Sequence, residues 1–202
     1  MEQKGVTVWF TGMSGAGKTA LAIPLEKELR KRGLKVERLD GDIVRQSLTR
    51  DLGFTKEDRD KNIERVTFVA KLLTRNGVAV LCSFISPYRS VRAKVQEEVG
   101  NFVEVYCYAP LETLIERDVK GLYKKALAGE IENFTGVSDP YERPENPHVT
   151  IDSSAETIEE SLAKILQKLE QLGYVPPAEE SEAYTADEEA EVEARLAALG
   201  YL

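Results

Sequence analysis

Residues 6–19 have the sequence VTVWFTGMSGAGKT, in which a strand signal, a turn signal and a helix start follow one another. The β-branched and aromatic run over residues 6–10 predicts a buried β-strand. Residues 12–19 fit the pattern G-x-x-x-x-G-K-[ST] in full. A helical pattern follows from about residue 18 to residue 31, and Gly33 supplies its stop signal. A strand that enters a helix through such a loop is the context that this pattern requires.

The glycine-rich loop indicates binding of a nucleoside triphosphate. Its glycines allow successive backbone N–H groups to turn into one cavity, and the helix N-terminus adds partial positive charge. Lys18 is placed to contact the β- and γ-phosphates, and the Thr19 hydroxyl is placed to bind Mg²⁺. The alternative is a plain glycine turn with an exposed lysine. The spacing does not fit the dinucleotide-binding pattern G-x-G-x-x-G.

Strand and helix signals alternate along the following chain, which predicts an α/β fold with a mostly parallel sheet and helices on both faces. Capping boxes are predicted at residues 55–58 and 153–156. The four further strands are predicted at residues 36–39, 78–82, 102–107 and 149–151.

Two carboxylates, Asp40 and Asp42, directly follow the second predicted strand. Because the carboxyl ends of parallel strands face the ligand crevice, we expect both beside the glycine-rich loop. One is suited to orient a Mg²⁺-bound water or Lys18, and the other to accept a proton from a hydroxyl group. A capped, solvated loop is the alternative interpretation.

Polar and aromatic candidates follow the same strand. Arg45, Arg59 and Asn62 are expected on the crevice side, and Phe54 lies in a turn before the next helix. A phenylalanine in a turn often fills a core, but beside arginines near a nucleotide crevice it also suits base stacking. Ser86 follows the third strand; it is a second crevice candidate, and it can also cap the next helix with Pro87 at the first helical position.

Residues 120–147 differ from the rest of the chain, since they contain three glycines and three prolines and begin with Lys120. Long segments with mixed helix and turn signals often cover active sites, so a mobile lid is predicted. The Pro176-Pro177 pair predicts the end of a domain over residues 1–177. Residues 178–202 then form an acidic tail with eight acidic residues and one basic residue, in which a short helix is predicted. A solvated tail and a partner contact are both consistent with it.

Composition excludes several classes of protein. The net charge of −8 resides almost wholly in the tail, so a basic nucleic-acid-binding face is not expected. No apolar run is long enough to span a membrane, and no secretory signal is expected before the first strand. Cys82 and Cys107 lie in apolar segments and are predicted to be buried, reduced thiols of a cytoplasmic protein. The lone His148 is predicted to be structural, because no metal-ligand spacing surrounds it.

Six segments resemble the adenylyl-sulfate kinase (APS kinase) family, and the resemblance extends from about residue 4 to residue 175. The segment 117–125, RDVKGLYKK, is especially specific. The other five are 10–18 (FTGMSGAGK), 39–45 (LDGDIVR), 51–54 (DLGF, with Asp58, Arg59 and Asn62 behind it), 84–87 (FISP) and 134–141 (FTGVSDPY). The resemblance implies the three-layer P-loop NTPase sandwich with a five-stranded sheet. It also implies transfer of the ATP γ-phosphate to the 3′-hydroxyl of adenosine 5′-phosphosulfate (APS), which gives PAPS and ADP in sulfate assimilation.

The resemblance implies roles residue by residue. Asp42 would be the base, Asp40 would support Lys18 and the Mg²⁺ site with Thr19, and Ser86 matches the serine that is phosphorylated in some family members. The residues expected to bind ATP are Gly12, Ser14, Gly15, Ala16, Gly17, Lys18, Thr19, Ala20, Arg117 and Ser154. The residues expected to bind APS are Asp42, Ile43, Arg45, Phe54, Arg59, Asn62, Ile85, Ser86, Lys120, Phe134 and Thr135, with the two phenylalanines on either side of the adenine.

Two departures from the family pattern are present. Lys18-Thr19-Ala20 replaces the common Lys-Ser-Thr, which keeps the hydroxyl that Mg²⁺ needs. Glu64-Arg65 replaces paired arginines and removes one positive charge. The family further implies a homodimer and, in some members, association with ATP sulfurylase.

Two other functions are consistent with the loop. One is a P-loop kinase for a nucleoside or a sugar acid, although the two phenylalanines and the Lys120 segment disfavour a sugar. The other is a nucleotide-binding regulator that does not catalyse, in which the acidic tail contacts a partner. An ADP-release assay with different acceptors separates these functions.

Overall fold

The structure is a computed structural model that describes residues 3–177. The acidic tail and its predicted helix lie outside the described residues. Within the described part, the strands are β1 (Val6–Thr11), β2 (Val36–Asp40), β3 (Ala79–Ser83), β4 (Phe102–Tyr108) and β5 (Val149–Asp152). The helices are α1 (Lys18–Lys31), α2 (Gly41–Val44), α3 (Lys56–Arg75), α4 (Arg89–Val99), α5 (Leu111–Arg117), α6 (Leu122–Leu127) and α7 (Ile158–Gln171).

The five strands form one parallel sheet in the order β2-β3-β1-β4-β5. The chain leaves β1 at the centre, runs to the edge strand β2, returns to β3 between β2 and β1, and then crosses to β4 and β5 on the other side. The strand order therefore reverses at β1, and a crevice forms at the carboxyl ends of strands on either side of such a reversal. The glycine-rich loop follows β1 and lies at this position.

Helices cover both faces of the sheet, as the alternating pattern predicts. On one face, Val8 and Phe10 of β1 pack with Leu25 of α1 and with Ile165 and Leu169 of α7. On the other face, Trp9 and Cys82 pack with Val66 of α3 and Val95 of α4. Every residue of β1 is buried, because the strand lies between two helical layers.

Two capping predictions need correction. Thr55 does cap α3 by accepting from the backbone N–H of Asp58, but the Asp58 carboxylate accepts from Gly53 instead of closing the box. The capping box predicted at residues 153–156 is wrong, because the box lies four residues later. Thr157 and Glu160 form it reciprocally and begin α7.

The two thiols are buried and unpaired, as predicted. Burial raises the pKa of both, to about 12 for Cys107. Within residues 3–177, the longest helices are too polar or too short to cross a membrane.

Candidate functional site

The loop between β1 and α1 contains three glycines with positive φ, of which Gly15 is at 75°. Gly12, at 145°, lies so close to β4 that a Cβ atom there would be 2.2 Å from the carbonyl oxygen of Cys107. Gly17, at 89°, is the N-cap residue of α1, and no side chain caps the helix there. The N-terminal N–H groups of α1 therefore stay available to an anion.

Lys18 projects from the first turn of α1 back across the loop. Its Nζ donates to the carbonyl oxygens of Gly12 and Met13, both at 2.8 Å. Burial of the ammonium lowers the pKa of Lys18 to about 8, with the Lys120 charge acting in the same direction and Cys107, Asp40 and Asp42 opposing it. A phosphate beside this ammonium would raise its pKa again and favour the charged form further.

The carboxylates at the end of β2 have different surroundings. Asp40 is buried and accepts from the Thr19 hydroxyl at 2.8 Å and from the backbone N–H of Asp42 at 3.0 Å. Asp40 hydrogen-bonds to Thr19, and its charge raises the pKa of Lys18 without a direct hydrogen bond to it. The Asp42 carboxylate is exposed and forms an ion pair with Lys120 of the predicted lid.

A cavity of about 480 Å³ joins the glycine-rich loop to the predicted acceptor residues. It is bounded by the loop, by the ends of β2 and β3, by the start of α3 and by residues 118–135. The predicted residues that line it are Ser14, Gly15, Gly17, Lys18, Thr19, Ala20, Asp40, Asp42, Arg45, Phe54, Arg59, Asn62, Ile85, Ser86, Lys120, Phe134 and Thr135. The fold thus brings together side chains that are more than one hundred residues apart in the chain.

The two phenylalanines differ in their exposure and in their neighbours. Phe134 is buried and packs edge to face on Tyr123, with ring centroids 5.1 Å apart. Phe54 is 58% exposed, and the Arg45 guanidinium lies 4.3 Å from its ring centroid. The alternative in which Phe54 fills the core is therefore wrong, because its side chain is exposed and lines the cavity.

The polar acceptor residues are held in place by neighbours. Arg59 donates to the Thr135 hydroxyl at 2.9 Å and to the carbonyl oxygen of Asn133, so it ties α3 to the predicted lid. Asn62 is buried, and its side-chain oxygen accepts from Thr49 at 2.7 Å. Burial lowers the pKa of Arg45, with the nearby Arg59 charge as a second cause.

The turn after β3 does not cap a helix, so that expectation for Ser86 is wrong. The helix α4 begins at Arg89, two residues beyond Pro87. Ser86 has a positive φ of 46°, is 3% exposed, and its hydroxyl oxygen accepts from Trp9 Nε1 at 3.0 Å. The hydroxyl is therefore bonded to the core residue Trp9, while residues 85–87 line the cavity.

Five predicted residues do not line the cavity. Gly12 and Ala16 are buried parts of the loop, and Ile43 is 55% exposed on α2. Arg117 donates to the Ser153 hydroxyl at 3.1 Å and to its carbonyl oxygen at 2.7 Å, and Ser154 bonds to Asp152. Ser153, the partner of Arg117 and the chain neighbour of Ser154, borders the loop, since its Cβ lies 3.6 Å from the Cβ position of Gly17.

Several lining residues were missed. Ser83 ends β3 opposite Asp40, and its buried hydroxyl has no hydrogen-bond partner among the described residues. Its place at a strand end could have indicated it, as for Ser86. Tyr123 donates from its hydroxyl to the Ser14 carbonyl oxygen at 2.9 Å. The other missed residues are Gly41, Ile63, Phe84, Pro87, Asp118, Val119 and Leu122.

The sheet order, the glycine-rich loop and the cavity that extends from the loop to the cationic and aromatic side chains define an ATP-dependent P-loop kinase that acts on a small molecule. Residues 4–152 match the family model described as Adenylylsulphate kinase. The chain therefore belongs to the adenylylsulphate kinase family.

Relatives of known sequence and structure agree with this assignment. The adenylyl-sulfate kinase of Halothermothrix orenii is 63% identical over 173 residues, which cover 86% of this chain and 94% of that protein. The structure of the Mycobacterium tuberculosis APS kinase in complex with AMPPNP and APS is similar, with a TM-score of 0.79 and 44% identity. That match covers 83% of this chain and 99% of the other.

A third relative is much longer. The probable bifunctional SAT/APS kinase 2 of Sorangium cellulosum is 59% identical over 172 residues. The match covers 85% of this chain and 30% of that protein.

Proposed function

We propose that this protein transfers the γ-phosphate of ATP to the 3′-hydroxyl of adenosine 5′-phosphosulfate and releases PAPS and ADP. The observation that carries the proposal is one cavity that holds both the glycine-rich loop and a cationic, aromatic pocket, with Asp42 in its lining. Membership of the family and the APS kinase neighbour support the same substrate pair.

The ATP side uses the loop and its outer border. The backbone N–H groups at the start of α1 would bind the β- and γ-phosphates, and Lys18 would exchange its two carbonyl acceptors for phosphate oxygens. Arg117 and Ser154, on the outer side of Gly17, would lie near the ATP adenine.

The donor set fits Mg²⁺, a hard cation that prefers oxygen ligands. The Thr19 hydroxyl and the Asp40 carboxylate are 2.8 Å apart beside the loop, and no cluster of three or more acidic, His or Cys side chains suited to a metal occurs in residues 3–177. Thr19 would hold the ion directly and Asp40 through water. When bound, the ion supplies charge neutralisation at the phosphate oxygens.

The APS side would use the remaining lining. Phe54 and Phe134 would enclose the adenine, and Arg45, Arg59, Asn62 and Lys120 would bind the phosphosulfate and the ribose. The backbone of Ile85 and Ser86, with Thr135, would complete the pocket. Ile43 has a weaker place in this assignment, because its side chain lies outside the cavity.

Asp42 would act at the acceptor hydroxyl. The 3′-oxygen bonds to the γ-phosphorus while the bond to the bridging oxygen of ADP breaks, and Asp42 takes the hydroxyl proton. We propose direct transfer without a phosphoserine, because phosphorylation of Ser86 would break its hydrogen bond to Trp9 and expose a buried hydroxyl.

A coupled ADP-release assay tests the proposal. APS, several nucleosides and gluconate are offered with ATP and Mg²⁺, and the product is identified by chromatography. We expect ADP release with APS at many times the rate with any other acceptor, together with a 3′-phosphorylated product. The Lys18→Ala protein, prepared in the same way, controls for contaminating kinases. Equal rates with a nucleoside, or no product from APS, would contradict the proposal.

Assembly and compartment form a finer part of the proposal. We propose a homodimer, association with ATP sulfurylase and a cytoplasmic location. The SAT/APS kinase relative supports the association, and the two unpaired, buried thiols support a reducing compartment. Light scattering of the purified protein tests the dimer, and copurification with ATP sulfurylase tests the association.

A further inference from the structure

The turn at residues 85–87 lines the cavity and is fixed by hydrogen bonds from residues of the core. Ser86 adopts a left-handed backbone conformation without being glycine, which persists only where neighbours enforce it. Trp9 donates to its hydroxyl at 3.0 Å, and the Thr11 hydroxyl donates to the carbonyl oxygen of Ile85 at 2.7 Å. Both contacts come from β1, the strand that precedes the glycine-rich loop.

Arg92 is the third support, and it lies outside the cavity. It belongs to α4 and is 3% exposed. Its guanidinium donates to the carbonyl oxygen of Ser86 at 2.6 Å, to the Glu104 carboxylate at 2.8 Å and to the carbonyl oxygen of Glu142 at 2.7 Å. The three acceptors belong to the turn, to β4 and to the end of the predicted lid segment, respectively.

The geometry of these contacts is specific to arginine. A buried cation is tolerated only when its donors are matched, and a planar guanidinium fixes the relative positions of its acceptors. The lid segment is also bound to the turn directly, because the backbone N–H of Glu142 donates to the carbonyl oxygen of Pro87 at 2.9 Å. A change at residue 92 would therefore move the turn and the end of the lid segment relative to β1.

We propose that Arg92 is a positioning residue for the acceptor substrate. It holds the Ser86 turn and the end of the lid segment in the arrangement that presents the backbone of residues 85–86 to the cavity. This inference rests on the proposed function, since the ligand of that wall is taken to be APS. Arg92 itself does not touch the substrate.

Arg92→Lys is the test variant, because it keeps the positive charge beside Glu104 but cannot reach three acceptors at once. We expect kcat/KM for APS to fall by about 10- to 100-fold, mainly through KM, while the KM for ATP stays near the wild-type value. The double variant Arg92→Met with Glu104→Gln avoids an unpaired carboxylate. It should likewise raise the KM for APS and leave the KM for ATP near the wild-type value. Arg89→Met is the matched control, because Arg89 contacts Glu142 and Glu145 but not the turn.

A spectroscopic signal separates positioning from general stability. Trp9 is the sole tryptophan of the chain, so its fluorescence reports the hydrogen bond to Ser86. We expect Arg92→Lys to shift the Trp9 emission without APS present, and Arg89→Met to leave it unchanged. A folded Arg92→Lys protein with wild-type KM for APS and wild-type emission would overturn the proposal.

The fluorescence result is independent of catalysis. If wild-type protein does not turn over APS, the proposed function fails, yet the emission shift still tests whether Arg92 holds the turn. If wild type is active and Arg92→Lys changes KM for ATP and APS equally, the role is structural and the positioning role is wrong.

Discussion

At the scale of single residues, Asp40 and Asp42 at the end of β2 differ in exposure, and the difference suits them to different roles. Asp40 is 5% exposed and holds the Thr19 hydroxyl, whereas the Asp42 side chain is 69% exposed. A buried carboxylate that already accepts two hydrogen bonds is suited to fix geometry. An exposed carboxylate on the cavity wall is suited to exchange a proton.

The first prediction concerns Asp42→Asn. The amide keeps the shape of the side chain but cannot take the hydroxyl proton, so kcat should fall by about 10²- to 10⁴-fold. ATP affinity should change little, because Asp42 contacts Lys120 and not the loop. Steady-state kinetics and calorimetry with ATP measure the two quantities.

Asp51→Asn is the matched control for Asp42→Asn. Asp51 is also an exposed carboxylate in an ion pair, with Arg65, but it lies outside the cavity. It should keep wild-type turnover. If kcat of Asp42→Asn stayed within threefold of wild type, proton transfer and orientation by Asp42 would both be wrong.

The second prediction concerns Phe54→Ala. Stacking of a base on an aromatic ring contributes about 1–3 kcal/mol, which corresponds to roughly a 5- to 150-fold loss of APS affinity. ATP affinity should stay unchanged. Phe68→Ala is the control, since Phe68 is 63% exposed on the part of α3 outside the cavity. Calorimetry that finds equal APS affinity for Phe54→Ala and wild type would rule out the stacking role.

At the scale of elements, the unit from β1 to α1 depends on how closely the loop approaches β4. Gly12 combines a positive φ with backbone contact to Cys107. The positive φ follows from the turn itself, whereas the contact exists only because β4 pairs with β1 in this register. The loop is therefore fixed by the sheet as much as by its own glycines.

The third prediction compares Gly12→Ala with Gly33→Ala. Both glycines have positive φ, but a Cβ at Gly33 would have no neighbour within 4 Å. Gly33→Ala should lower the free energy of unfolding by about 1–2 kcal/mol through backbone strain alone. Gly12→Ala should lose about 1–3 kcal/mol more from overpacking and should also weaken ATP binding.

Urea unfolding followed by circular dichroism measures both variants. Equal losses of unfolding free energy would mean that the approach of Gly12 to Cys107 is not a tight constraint. Unchanged ATP affinity in a folded Gly12→Ala protein would mean that the loop binds ATP without the close approach of Gly12 to Cys107.

At the scale of the whole molecule, a histidine forms a hydrogen bond between β4 and the residue that precedes β5. His148 precedes β5, and its Nδ1 accepts from the backbone N–H of Glu104 in β4 at 3.0 Å. Burial lowers the pKa of His148, and the Lys168 charge of α7 acts in the same direction. The neutral imidazole is therefore the form that the folded protein prefers, in agreement with the predicted structural role.

The fourth prediction is a pH dependence of stability. Because the folded pKa lies below the unfolded value, the unfolded chain takes up the proton first as the pH falls. The free energy of unfolding should therefore decrease as the pH falls from above the ordinary value of about 6.5 through the folded pKa. Thermal unfolding between pH 8 and pH 5 measures this.

His148→Gln is the control for that dependence. The glutamine oxygen can still accept from Glu104, but the side chain does not titrate. Glu104, whose pKa is raised by burial, has the opposite effect, so the difference between the two proteins isolates His148. Parallel stability curves for wild type and His148→Gln would contradict the prediction.

The amino-acid sequence alone determined the glycine-rich loop, the alternating elements and most residues of the candidate site. These signals are local or lie at strand ends, where a parallel sheet necessarily gathers side chains at one edge. Asp42, Phe54 and Arg59 could be predicted in this way. The sequence was less decisive at Ser86, whose hydroxyl suits either a helix cap or the cavity. It was also less decisive before α7, where the capping-box pattern occurs twice within residues 153–160.

Only the tertiary structure decided the contacts between segments that are distant in the chain. The ion pair of Asp42 with Lys120, the hydrogen bond from Arg59 to Thr135 and the triple contact of Arg92 have no local signal. The sequence alone does not distinguish a buried arginine in a helix from an exposed one. Which acceptors meet its guanidinium depends on how the helix packs against the sheet, because that packing alone brings the three acceptors within hydrogen-bond distance.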